Sequence, residues 1–261
     1  MKPSSGRTWK IGLIVGLTLL AIGVASSMPR VADPPAYFDF ADRRTLIGIS
    51  NFMDVVSNAP WAVIGVLGLL FVARQRNTGP GSPFTENWER IAFSVLFAAM
   101  GLVAVGSARF HLAPAPDNLF WDRVPITIIF MCFFALMIGE RISLRAGRLL
   151  FLPLLAIGTS SVVYWQYTQA TGRGDLRWYL LVQLFPILVI PLLFLLFPPR
   201  YTGTGRLLAA LSLYALAKVF EFYDERVFAM TRIISGHTLK HLTGALAAWC
   251  LLRTVRLRQK Y

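Results

Sequence analysis

Charged residues are scarce in this chain, and acidic ones are scarcer than basic ones. Only 15% of its residues are charged, whereas 56% are hydrophobic, and the mean hydropathy is +0.58. A soluble domain normally carries about 25% charged residues, so this composition excludes an ordinary soluble domain. The apolar runs are continuous and lack the period-2 alternation of a transmembrane β-barrel, which leaves α-helices as the spanning elements.

Cysteine is nearly absent as well. The two cysteines, Cys132 and Cys250, each lie within an apolar run. We interpret them as small packing residues rather than as a disulfide or a metal-binding pair. They indicate nothing about the redox compartment.

The apolar residues form eight runs of membrane-spanning length. A hydrocarbon core about 30 Å thick requires roughly 20 residues of α-helix. The predicted fold is therefore all-α, a polytopic membrane protein with a seven-helix core that is preceded by one N-terminal helix. The predicted spans are residues 10–28, 52–73, 91–111, 122–141, 149–168, 178–197, 207–223 and 237–255.

The first run has two interpretations. Lys2, Arg7 and Lys10 precede an apolar stretch that ends at Ala25-Ser26-Ser27, a pattern typical of a signal peptide. The stretch is also long enough to remain as an anchor, and we favour a retained helix. The predicted divisions are an anchor or signal segment at 1–28, an outer segment at 29–51 that is a candidate for calcium binding, a seven-helix membrane domain at 52–256 and a cytoplasmic tail at 257–261.

The net charge of +13 does not indicate a nucleic-acid partner, because the main clusters of basic residues lie in alternate loops. Such loops stay in the cytoplasm under the positive-inside rule, where they face anionic lipid. The C-terminus is therefore predicted to be cytoplasmic, and the bilayer itself accounts for the basic excess. The basic clusters lie at 74–90, 141–148, 200–206 and 253–260.

Polar residues within the spans concentrate at one membrane depth. Ser107 and His111 lie one helical turn apart at the outer end of one span. Asp122 is predicted to begin the next span, and His237 and His241 lie one turn apart at the start of the last. Alternating topology puts all of them near the outer face. Ionisable groups are costly inside a membrane, so these residues are the candidates for function.

Three imidazoles on two helices suit a zinc ion. Catalytic zinc commonly has three protein ligands and one position for water, whose pKa it lowers to about 7. Asp122 is suited to orient that water or accept its proton, and Ser107 to hydrogen-bond the water or an oxyanion. Haem held by a histidine pair is an alternative, but it leaves one histidine over and does not explain Asp122. Lys240 is expected to lie off the face of the histidines and to extend toward the interface.

Further polar groups accompany this set. Lys218 and Glu221 have the i,i+3 spacing of an ion pair, and Asp224 is predicted to lie nearer the metal. Ser57-Asn58, inside the first core span, is interpreted as a polar helix-packing feature.

The outer segment offers oxygen ligands for calcium, which prefers six to eight of them. Asp39, Asp42 and Asn51 are the candidate ligands, and Asp54 follows at the start of the first core helix. A solvated and capped helix entry explains the same residues equally well.

Three motifs resemble those of the alkaline ceramidases, and in particular of the bacterial members. They are Gly106-Ser107-Ala108-Arg109-Phe110-His111, Trp121-Asp122-Arg123 and Ser235-Gly236-His237-Thr238-Leu239-Lys240-His241. The stretch from Phe52 to Ser57-Asn58 is similar to the first helix of that family, and the resemblance extends over about residues 37–256. The wider superfamily includes the adiponectin-receptor-like membrane hydrolases.

The resemblance implies a seven-helix core with an intramembrane zinc on His111, His237 and His241, assisted by Asp122 and Ser107. It also implies hydrolysis of the amide bond of ceramide to a sphingoid base and a fatty acid. Asp39 and Asp42 resemble an acidic pair at the calcium site of the eukaryotic enzymes, but Asn51 stands in the place of a later glutamate. The N-terminal helix is additional to the family pattern.

The predicted function is that of a zinc-dependent hydrolase of ceramide or a similar lipid amide. The expected location is the bacterial inner membrane, with the site toward the periplasm. Two alternatives stay open: a non-enzymatic seven-helix receptor or binding protein with a structural metal, and a proton-coupled transporter that needs no metal.

Overall fold

The computed structural model describes residues 5–261. Lys2, which belongs to the basic start of the first predicted segment, lies outside them. The described chain is α-helical, and β structure within it is limited to isolated bridges. The helices are α1 (Ser5–Ser27), α2 (Phe52–Val56), α3 (Ala59–Arg74), α4 (Asn87–Leu112), α5 (Pro116–Arg141), α6 (Leu144–Ala170), α7 (Arg177–Leu196), α8 (Thr204–Phe222), α9 (Asp224–Thr231) and α10 (Gly236–Leu257), with a 3₁₀ turn at Pro35–Phe38.

Within residues 5–261, six helical stretches are long and apolar enough to cross a membrane: α1, α2 with α3, α4, α5, α6 and α7. The protein is therefore a multi-pass integral membrane protein, as predicted. The two remaining long helices, α8 and α10, pack along each other. They carry several ionisable residues of or near the predicted site, Lys218 and Glu221 on α8 and His237, Lys240 and His241 on α10, and these residues lower the hydropathy of both helices.

The eight predicted spans coincide with the long helices, and two local details differ. Asp122 was predicted to begin a helix, which is wrong, because α5 begins at Pro116. A proline is well suited to the first turn of a helix, where its missing N–H is not needed. Asp122 therefore lies in the second turn, where its side chain faces the interior. The second difference is α9, a short helix that was not predicted. It lies at the same end of the bundle as the histidines.

Polar contacts at both ends of α1 fix it against the seven-helix domain. Lys10 Nζ donates to the carbonyl of Leu196 at 2.7 Å, near one end of α7. At the other end the Arg177 guanidinium donates to the carbonyl of Ala25 at 3.3 Å. Arg177 also hydrogen-bonds the Asp175 carboxylate, which lowers the pKa of Asp175 to about 2. Asp175 is thus ionised at neutral pH and anchors the arginine that holds α1.

The basic loops meet at the end of the bundle opposite the histidines. Arg258 Nε, just after α10, donates to the carbonyl of Pro83 at 2.6 Å. Its guanidinium also pairs with the buried Glu89 at 3.3 Å. Tyr201 donates to the same carboxylate at 2.8 Å. These contacts join the 74–90 loop, the 200–206 loop and the C-terminal tail.

A close approach at Gly106 sets the spacing of α4 and α5. A Cβ atom on Gly106 would lie 2.1 Å from the carbonyl oxygen of Trp121 and 3.2 Å from the backbone nitrogen of Asp122. These are backbone atoms, so they cannot rotate away as a side chain would. The absence of a side chain at Gly106 therefore lets α4 bring Ser107 up to the turn of α5 that carries Asp122.

Replacing Gly106 by alanine is expected to force the two helices apart. Overpacking of this kind costs about 1–3 kcal/mol, so the melting temperature in detergent should fall. Gly101→Ala is the matched control on the same helix, because a Cβ there meets no atom within 4 Å. Equal melting temperatures for the two variants would contradict the close approach.

Candidate metal centre

The three histidines converge on one point. Their ring centroids are 4.7 Å apart for His111 and His237, 4.9 Å for His111 and His241, and 4.8 Å for His237 and His241. All three side chains are buried. The one-turn spacing on α10 places His237 and His241 side by side, and the C-terminal turn of α4 supplies the third ring from across the bundle.

The nitrogen atoms fit a shared metal ion. The Nε2 atoms of His111 and His237 lie 3.2 Å apart. Two nitrogens each about 2.0–2.1 Å from a tetrahedral zinc would lie about 3.3 Å from each other. A hydrogen bond between two rings would also fit that distance, but it would not explain the third ring, whose ligand atom lies within 4.8 Å of the others. Imidazole suits zinc and several other transition metals, so the cluster could hold a metal ion, whose identity the geometry alone does not give.

A polar network holds the start of α10 and thereby His237. Ser235 is the N-cap of α10, and its Oγ accepts from the backbone N–H of Thr238 at 2.9 Å. Thr238 Oγ1 donates to the buried Asp54 at 2.6 Å. Asp224 was predicted to lie nearer the metal. It accepts instead from the backbone N–H of His237 at 2.7 Å, and so it positions the ligand.

Ser57, the C-cap residue of α2, supports His241. Its Oγ lies 2.8 Å from His241 Nδ1 and donates to the carbonyl of Asp54 at 3.1 Å. A hydroxyl that donates its proton to a carbonyl presents a lone pair to the ring, which suits the tautomer with hydrogen on His241 Nδ1 and Nε2 available to a metal. The Asn58 amide also lies near this nitrogen, at 3.3 Å.

The sequence interpretation of Ser57-Asn58 as a packing feature missed this role. The available signal was Pro60, which breaks the helix between α2 and α3. The break turns two polar side chains toward the interior.

Replacing Ser57 by alanine is expected to weaken metal binding by about 10- to 100-fold, the usual effect of losing a partner of a metal-ligating histidine. A competition titration with a zinc chelator measures this. Ser161→Ala is the control, because Ser161 is also buried and donates only to a carbonyl of its own helix, that of Gly158. An unchanged zinc affinity in Ser57→Ala would contradict the role of Ser57.

The outer segment covers His111. Asn51 Nδ2 donates to the carbonyl of His111 at 2.8 Å and so fixes the end of α4. The Phe40 ring lies 4.6 Å from the His111 ring and 5.4 Å from the His237 ring, centroid to centroid. Phe40 is itself buried. The segment therefore excludes solvent from the cluster on this side.

Arginines pair with the carboxylates that were predicted to bind calcium. Asp39 pairs with Arg43 at 2.8 Å, and both side chains are exposed. Asp42 pairs with Arg44 at 2.6 Å. Burial would raise the pKa of Asp42, but the hydrogen bonds and charge of Arg44 outweigh it and leave that pKa below its usual value. Asp42 is thus ionised at neutral pH and balanced by an arginine.

Asn51 donates through its amide nitrogen to the carbonyl of His111, and the two aspartates each pair with an arginine. Calcium binding stays a prediction.

Asp122 and Ser107 adjoin the metal cluster. Both are buried, and with His241 they line one cavity of about 440 Å³. The rest of its wall is mostly apolar and comes from the outer segment and from α3, α4, α5, α7, α8 and α10. From His241 to Leu251, another lining residue, α10 rises about 15 Å. The polar residues thus stand at one end of a long apolar cavity within the membrane domain.

Lys240 also faces this cavity, so the prediction that it lies off the face of the histidines is wrong. Its Nζ lies 3.5 Å from His237 Nε2 and 2.6 Å from Glu221 Oε1. The flexible four-carbon stem lets the ammonium reach a carboxylate on α8. The predicted ion pair of Lys218 and Glu221 is present, and Glu221 thus bridges two lysines.

The chain matches no protein-family model and no curated protein.

Proposed function

We propose that this protein is a zinc-dependent intramembrane hydrolase that cleaves the amide bond of ceramide or a similar lipid. The observation that carries the proposal is the position of the three buried histidines. They lie beside a carboxylate and a hydroxyl at the end of an apolar cavity. Fatty acid and sphingoid base are the expected products. The sequence resemblance to alkaline ceramidases supports the same reaction.

A zinc ion, when bound, would polarise a carbonyl and lower the pKa of a water molecule. Asp122 accepts a proton from the attacking water and returns it to the amide nitrogen, so the amine leaves neutral. Ser107 donates a hydrogen bond to the carbonyl oxygen as negative charge develops there. The apolar cavity holds the acyl chain, and the covering Phe40 excludes bulk solvent.

A structural metal in a receptor is the main rival. Structural zinc sites are closed by four protein ligands, whereas catalytic ones keep a position for water. Within residues 5–261 the cluster comprises three histidines and no fourth histidine, cysteine or carboxylate. A set of three ligands favours a catalytic zinc site, and therefore an enzyme, over a structural zinc site in a receptor.

We further propose that the protein lies in a bacterial inner membrane with the histidines toward the periplasm. The basic loops share the opposite end of the bundle, where Arg258 and its neighbours join them. The positive-inside rule assigns that end to the cytoplasm.

Incubating the purified, zinc-loaded protein with ceramide in detergent micelles tests the reaction. The expected result is release of fatty acid and sphingoid base in equal amounts, and its loss on removal of zinc with a chelator. Release that persists in metal-free protein would refute the zinc-dependent reaction.

A further inference from the structure

Two lysines and one glutamate stand at the polar end of the cavity. Glu221 Oε1 accepts from Lys240 at 2.6 Å, and its Oε2 accepts from Lys218. Both carboxylate oxygens are therefore engaged, so the two ammonium groups share one carboxylate. Ionisable groups inside a membrane domain are costly and typically mark a binding site.

The other charged groups that line the cavity are Arg123, Asp33 and Asp122. Arg123 pairs with Asp33 at 2.5 Å, and both side chains are buried. Trp165 Nε1 donates to the same carboxylate at 2.7 Å. Asp122 lies near enough to Lys240 to attract its charge. A divalent ion on the histidines would also attract Asp122 and would add positive charge beside the lysines.

The lysines have unused hydrogen-bond donors. Each ammonium has three N–H groups, and each donates one to Glu221. Lys240 has only one further contact among the described residues, with His237 Nε2 at 3.5 Å. That nitrogen is a metal ligand in the proposed site and so cannot accept. Lys218, whose side chain is 47% exposed, also lines the cavity. The unused N–H groups stand where the polar part of a lipid would lie.

We propose that Lys218 and Lys240 bind an acidic group on the amine half of the lipid substrate. The preferred substrate is then an N-acyl amide that carries a carboxylate or phosphate, rather than a neutral N-acyl amino alcohol. This proposal rests on the proposed hydrolysis of a lipid amide, and within that class it favours an acidic lipid over ceramide, which is neutral. Because Lys240 lies so close to His237, the acidic group stands within a few atoms of the amide bond, as in an N-acylated amino acid.

Binding of a fluorescent N-acylglycine and its neutral methyl ester to the full-length, zinc-loaded protein tests the proposal. Rapid mixing measures the binding of each probe before the protein can hydrolyse it. A charge-assisted hydrogen bond contributes about 1.5 kcal/mol or more, so the acid should bind about tenfold more tightly than the ester. Lys218→Met and Lys240→Met should each bring this affinity ratio close to one. Lys218→Arg keeps the positive charge, so it should retain a ratio of about ten. Lys10→Met, outside the cavity, should leave the ratio unchanged.

Equal binding of the acid and the ester by the wild type would overturn the proposal. The proposal would also fail if Lys218→Met and Lys240→Met both kept the wild-type ratio of acid to ester affinity. Hydrolysis of the two probes separates this proposal from the reaction itself. If the acid binds more tightly but neither probe is cleaved, the anion site stands and the hydrolase proposal fails. If both are bound and cleaved equally well, the hydrolase proposal stands and the anion site is wrong.

Discussion

Replacing His237 by alanine should abolish zinc binding and hydrolysis together. The wild type is expected to hold about one zinc ion per chain and the variant less than about 0.1, because two imidazoles alone make a weak site. The fold should survive, since Asp224 binds the backbone N–H of His237, which alanine retains. Elemental analysis of detergent-purified protein measures the zinc content.

Leu239→Ala is the matched control for this change. Leu239 lies between the two histidines on α10 and is half-buried, so its truncation removes packing but no imidazole. It should keep about one zinc per chain. A His237→Ala protein that retained full zinc content would show that the three rings do not share a metal ion.

Asp122→Asn separates catalysis from metal binding. Asparagine has nearly the same volume but no basic carboxylate, so it cannot accept the proton of the attacking water. The turnover number should fall by about 10²- to 10⁴-fold, the range for loss of a general base. Zinc content should be unchanged, because Asp122 is not among the clustered ligands.

Asp117→Asn, five residues earlier on α5, controls for a general effect of losing an acid. Asp117 is exposed and accepts a hydrogen bond from Gln166 at 2.7 Å. Its replacement should change turnover by less than about twofold, as expected for a surface group. If the two variants behaved alike, Asp122 would have no special part in proton transfer.

The helical frame was predictable because it depends on short-range properties of the chain. Continuous apolar runs can cross a membrane only as helices, and the predicted spans agree with the helices that form. The i,i+4 spacing of His237 and His241 likewise fixes their common face without knowledge of the fold. Only alternating topology was needed to bring His111 to the same depth.

The residues around the ligands could not be predicted in this way. Ser57 approaches His241 across 184 positions of sequence, and no local pattern encodes that contact. Asn51 was assigned to calcium because an amide oxygen suits a hard cation, yet its nitrogen donates to the His111 carbonyl.

Lys240 was placed off the site because helical spacing fixes where a Cα lies and not where a long side chain ends. Its position depends on Glu221, which is on another helix. Periodicity therefore predicts elements and faces, whereas the supporting contacts depend on tertiary packing.

X-ray absorption at the zinc edge on the purified, full-length protein tests the central claim most directly. The account predicts one zinc per chain with three imidazole nitrogens at about 2.0 Å and one further oxygen in the first coordination shell. A sulfur ligand, a shell with fewer than three imidazoles, or active protein that contains no metal would contradict it.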